Sequence, residues 1–124
     1  MFRKILIFFA VFCINSLSAQ VRVATIFSDK MVLPREVRFP VWGSADAGET
    51  VTVTFAGQSV SCTAGSDGKW LVYFEAQSAS KENRPLIISG RDNTITINNC
   101  LVGDVWLCSG QSNMQMPMWS NNPR

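Results

Sequence analysis

The chain has no histidine, a single tyrosine and few charges, with Asp, Glu, Lys and Arg making up 16% of its 124 residues. Without histidine and without any Cys-x-x-Cys spacing, the usual zinc ligand sets are absent, so no metal and no cofactor is expected. The formal net charge is only +2. Two of the basic residues, Arg3 and Lys4, stand at the extreme N-terminus. Without them the balance is neutral, which leaves no basic face for nucleic acid or for an anionic membrane. Between Val21 and residue 100 no segment shows the three-and-four spacing of an amphipathic helix.

What the chain does have begins with a leader. Arg3 and Lys4 precede an apolar run from Ile5 to Ile14 that includes Cys13, and Asn15-Ser16-Leu17-Ser18-Ala19 follows as a small, polar exit. This is the pattern of a secretory signal peptide, residues 1–19, cleaved between Ala19 and Gln20. The run is too short to serve as a membrane anchor, so no membrane association is expected after cleavage. The protein is expected to be secreted or periplasmic. Cleavage leaves Cys62, Cys100 and Cys108. Export permits disulfides, but an odd count leaves at least one thiol unpaired. Cys108 lies in an apolar run and is read as a buried thiol. A Cys62–Cys100 bridge is left open.

From Val21 to about Leu101 the dominant period is two. Thr50-Val51-Thr52-Val53-Thr54-Phe55 and Ser59-Val60-Ser61-Cys62-Thr63-Ala64 alternate polar with apolar residues, which puts one face in a core and the other in water. Ala56-Gly57-Gln58 reads as the hairpin loop between them, and Ser66-Asp67-Gly68 as a turn into Lys69–Phe74. Arg84–Ser89 and Thr94–Asn98 form another pair of runs around a turn at Gly90-Arg91-Asp92-Asn93. Val21–Phe27 and Arg38–Trp42 complete the set. Pro40 assigns its strand to an edge or a bulge, and Lys81-Glu82-Asn83 reads as a polar loop. Many short strands separated by turns predict a mainly β fold, a β-sandwich over residues 20–100, immunoglobulin-like or jelly-roll-like. Gly43–Val53 resembles the loop-then-strand entry of bacterial immunoglobulin-like modules.

The character changes at Leu101. Gly103-Asp104 reads as a turn. Val105-Trp106-Leu107-Cys108 is apolar without alternation, as in a strand buried on both faces. A small polar stretch, Ser109 to Asn113, follows it. A domain boundary is therefore placed near residue 100, with 101–124 too short to bury a core of its own. A buried strand ending in Gly-x-Ser can present a nucleophilic serine. Gly110 permits the tight turn, and a helix starting after Ser112 would offer free amides to an oxyanion.

Gly103-Asp104-Val105-Trp106-Leu107-Cys108-Ser109-Gly110-Gln111-Ser112-Asn113-Met114 resembles the first block of the SGNH/GDSL hydrolases, and within them the sialate O-acetylesterase family, whose members carry Gly-Gln-Ser-Asn-Met. Met31-Val32-Leu33-Pro34-Arg35, Pro40-Val41-Trp42-Gly43 and Asp67-Gly68-Lys69-Trp70 are similar to that family's N-terminal β-domain. The resemblance implies Ser112 as nucleophile, with its own amide in the oxyanion hole. It implies that Gln111 shapes the turn and that Asn113 orients the loop. The implied reaction is attack on an acetyl ester, an acetyl-enzyme and hydrolysis by water. The implied partner is an O-acetylated sialic acid, a sialoglycoconjugate or a related acetylated sugar. The family's base is a histidine three residues after an aspartate, and this sequence has none. Residues 101–124 are thus expected to be the first strand and nucleophile turn of a truncated α/β domain, inactive alone.

The other conspicuous residues have plainer readings. Trp42, Trp70 and Trp106 lie in apolar runs and read as core, while Trp119 could line a pocket. Asp104 reads as a turn residue, and Met114, Met116 and Met118 as packing. The competing function is a secreted sugar-binding or spacer module without catalysis.

Overall fold

The computed structural model of the chain describes residues 20–111. Its strands are β1 (Arg22–Val23), β2 (Val32–Pro34), β3 (Phe39–Ser44), β4 (Thr50–Phe55), β5 (Gln58–Thr63), β6 (Lys69–Phe74), β7 (Ser80–Ser89) and β8 (Thr94–Gly103). No helix occurs among the described residues, so the fold is mainly β as expected. Three strands form one sheet in the order β1-β3-β6, and five form a second in the order β2-β8-β7-β4-β5.

The alternating runs become strands because one set of side chains leaves water. In β4, Val51, Val53 and Phe55 are buried, and in β6 Trp70, Val72 and Phe74 are. The two sheets share one core that includes Phe39, Val41, Leu86, Ile88 and Cys100. Three phenylalanines join the sheets at its centre. Phe39 stacks on Phe74, its register partner, at 5.4 Å, and Phe55 from the other sheet meets both edge-on at 6.3 and 6.4 Å. Such pairs contribute about 0.5–1.5 kcal/mol each beyond the burial of their area.

Turn chemistry sets the register. The β4–β5 loop is only Ala56-Gly57, because Phe55 already pairs with Gln58. Both loop residues have positive φ, 48° and 79°, the pair of left-handed conformations that matches strand twist in a two-residue hairpin. At Gly43 the need is for space: a Cβ there would lie 1.9 Å from the Arg22 carbonyl oxygen and 2.8 Å from the Trp70 ring. Glu49 is a buried carboxylate that accepts from the amides of Asp46 and Arg91. The Asn93 side chain exchanges two hydrogen bonds with the backbone of Val21, so the β7–β8 turn holds the entry to β1.

Several expectations need correction. Lys81-Glu82-Asn83 belongs to β7 and is not a loop. It lies where the register with β8 shifts, Ser80 pairing Val102 and Arg84 pairing Cys100, so polar side chains bulge outward while the strand continues. β8 runs on to Gly103, past the Thr94–Asn98 run read from the sequence. Asn99, at φ 58°, breaks the alternation there, and a second register shift lets both Ile97 and Cys100 point inward. β2 was not read from the sequence at all. Pro40 sits in the middle strand of its sheet, but β1 covers only Gly43 and Ser44 of β3. At Pro40 the strand is an edge, as its ring requires. Trp42 and Trp106 are not core: they are 39% and 85% exposed, whereas Trp70 is buried.

Cys62, Cys100 and Cys108 are free thiols. β7 and β4 lie between β8 and β5, which separates Cys62 from Cys100 by about 14 Å along the sheet, beyond disulfide reach. Burial pushes the Cys100 thiol above its ordinary pKa, opposed by a hydrogen bond from the Leu86 backbone and reinforced by the charge of Asp29.

Candidate active site

The segment that leads to Ser112 leaves the β-domain at the end of β8. Its point of departure is held by β2, which lies parallel to β8 with Val32 opposite Leu101, Leu33 opposite Val102 and Pro34 opposite Gly103. The Leu101 amide donates to the Met31 carbonyl at 3.0 Å, and the Arg35 amide donates to the Gly103 carbonyl at 3.0 Å. One residue further, Arg35 Nε donates to Asp104 Oδ1 at 2.8 Å. That charged hydrogen bond, then the charges of Asp104 and Glu36, hold the Arg35 guanidinium above its already high pKa. The pair is exposed to water, so it adds little to the stability of the fold.

Two stretches far apart in sequence, Met31–Arg35 and Gly103-Asp104, thus lie side by side. The other two stretches that carry the resemblance also meet. Trp42 pairs Leu71, Gly43 pairs Trp70 and Ser44 pairs Lys69 across β3 and β6, and the Trp70 ring lies where a side chain on Gly43 would stand.

Beyond Asp104 the structure departs from the sequence reading. Val105-Trp106-Leu107-Cys108 forms no strand, and Val105, Trp106 and Leu107 are 57%, 85% and 95% exposed. Cys108 is exposed as well, not buried. A run of this composition is buried only where layers cover both of its faces, and no described residue supplies them. Val105 does reach the rim of an apolar hollow of about 360 Å³, whose walls include Ile26, Phe27, Val32, Pro34 and Trp42. Phe27 braces Trp42 there, ring edge to face at 4.9 Å.

Of the four residues expected at the site, two are described. Gly110 has φ 121°, the left-handed side of the map that glycine tolerates. Gln111 is exposed. Ser112 and Asn113 lie outside the described residues, as do Met114, Met116, Met118, Trp119 and the leader at 1–19. Reading the sequence passed over Arg35 as the partner of Asp104. The available signal was two opposite charges, each at the end of a short apolar run.

No protein-family model matches the chain. It is 37% identical to a sialate O-acetylesterase of Rattus norvegicus over 108 aligned residues, taking in 77% of this chain and 19% of that protein. It is 38% identical to a sialate O-acetylesterase of Homo sapiens over 109, with 77% and 20% covered. A solved carbohydrate acetylesterase from Xanthomonas citri superposes with a TM-score of 0.73 at 32% identity, covering 78% of this chain and 22% of that one. The chain spans about a fifth of the length of the relatives it matches. Over that stretch it is a homologue of the sialate O-acetylesterases.

Proposed function

We propose that this chain, homologous to part of the sialate O-acetylesterases, carries the β-domain and nucleophile segment of a secreted serine carbohydrate esterase. Its substrates are O-acetylated sialic acids or related acetylated sugars. The observation that carries the reading is Gly110-Gln111-Ser112-Asn113-Met114 in a chain of that ancestry. Ser112 Oγ attacks the acetyl carbonyl, the sugar hydroxyl departs with a proton, and water then releases acetate from the acetyl-serine. The Ser112 amide is one donor to the developing oxyanion. Arg35 and Asp104 set the direction in which the segment leaves the β-domain. Residues 1–19 direct export.

A serine hydroxyl needs a base to accept its proton. The resemblance implies a histidine base, and the chain contains no histidine; on this reading these 124 residues are inactive alone and polypeptide beyond them supplies the base. Acetate release from an O-acetylated sialoside tests this in two forms. The chain by itself is expected to show no release that depends on Ser112. The chain joined to whatever open frame follows the Arg124 codon is expected to show release, reduced roughly 10⁴-fold or more by Ser112→Ala. Serine-dependent turnover by the 124 residues alone would overturn their inactivity. An extended Ser112→Ala protein with undiminished activity would overturn the nucleophile.

A further inference from the structure

The two sheets present opposite chemistry to solvent. On the outer face of β4 and β5, Thr52 bonds Ser61 and Thr54 bonds Ser59, hydroxyl to hydroxyl at 2.8 and 3.0 Å. On the outer face of β3 and β6 the register pairs are Pro40 with Tyr73, Trp42 with Leu71 and Ser44 with Lys69. Trp42, Leu71 and Tyr73 are 39%, 47% and 48% exposed, around a shallow hollow of about 450 Å³ that Lys69 also lines. Paired side chains on one sheet face stand about 5 Å apart and diagonal ones about 7–8 Å, so Trp42, Leu71 and Tyr73 form one apolar strip.

We propose that this strip is a binding face for an acidic sugar, separate from the serine that performs the chemistry. Ring stacking on the C–H face of a pyranose needs an aromatic side chain held in place with part of its surface free. Trp42 meets that need: Phe27 packs against its ring edge to face at 4.9 Å, and the residue is still 39% exposed. Tyr73 is held by Arg38, whose guanidinium lies 5.3 Å from the ring centroid and pairs with Glu75 at 3.2 Å. Tyr73 adds a phenolic hydroxyl that can donate or accept. A carboxylate needs a cation within reach. Lys69 lies on the same face, exposed, and its ammonium has no ion-pair partner among the described residues. Aromatic surface beside an exposed cation complements a sugar ring that bears a carboxylate. The class of sugar rests on the esterase reading; the apolar and cationic character of the face does not.

The full chain carrying Ser112→Ala, so that hydrolysis plays no part, is titrated with sialyllactose and with uncharged lactose while tryptophan fluorescence and NMR shifts are followed. Saturable binding of sialyllactose in preference to lactose is expected. Trp42→Ala and Tyr73→Ala should each weaken it roughly tenfold. Lys69→Ala, at an exposed position that leaves the core untouched, should remove the preference over lactose. Thr54→Ala on the other sheet should change nothing. Absence of saturable binding overturns the proposal, and so does binding indifferent to both Tyr73→Ala and Lys69→Ala. Self-association lost in Trp42→Ala without sugar binding also overturns it, and assigns the face to a second copy of the chain. None of these outcomes bears on acetate release by Ser112, so the two readings can fail separately.

Discussion

β8 and the run that follows it are built from similar side chains and meet opposite fates. Ile97, Cys100 and Val102 are buried to within a few percent, while Val105, Trp106 and Leu107 a few residues on stand largely in water. β8 has a strand on each side, β2 and β7, and a second sheet across the core. The run has neither among the described residues. Hydrophobic character states which groups gain by leaving water, but burial takes place only where another surface exists to receive them.

That contrast can be broken by mutation. The largest effect belongs to the core. Phe74→Ala should cost about 3–5 kcal/mol, read from urea denaturation, whereas Leu107→Ala should change stability by no more than about 0.5 kcal/mol and raise solubility. Equal losses at the two positions would mean that the run is packed in solution.

The cysteines sharpen the same contrast without changing the fold. Brief alkylation followed by mass spectrometry should label Cys108 first and Cys100 only on unfolding, and early labelling of Cys100 would contradict the burial of β8. Cys100 also links stability to pH. Burial raises its folded pKa, so its contribution is complete below the ordinary thiol value and declines as pH rises through and above it. A Cys100→Ala variant should lose that alkaline decline.

The smallest effect lies at the junction. Arg35→Ala removes an exposed pair, so the thermal midpoint should stay where it is while the NMR shifts of Asp104 to Leu107 move. Unmoved shifts would mean that Arg35 does not aim the segment.

Much of the fold was legible where contacts are local. The β4–β5 hairpin follows from its alternation and from Gly57, and the turn before β6 from Asp67-Gly68. The β7–β8 hairpin follows from two apolar runs around a polar turn. Legibility ended where strands are irregular or pair at a distance. Asn99 interrupts the alternation of β8 and hides its last residues. Lys81, Glu82 and Asn83 look like a loop because a bulge turns them outward. β2 is three residues long and finds its partner about seventy positions away, so no local period announces it. The stretches carrying the resemblance could each be read, but their meeting in pairs could not.

The sequence by itself determined the class of fold, most turns and the resemblance to the sialate O-acetylesterases, because alternation, turn residues and motifs act over a few neighbouring positions. Only the tertiary structure decided which apolar residues are core and which stand in water. It alone joined Arg35 to Asp104 and set Trp42 beside Leu71 and Tyr73 on an outer face. Those outcomes depend on which strand lies next to which, and distant pairing leaves no mark on either strand alone.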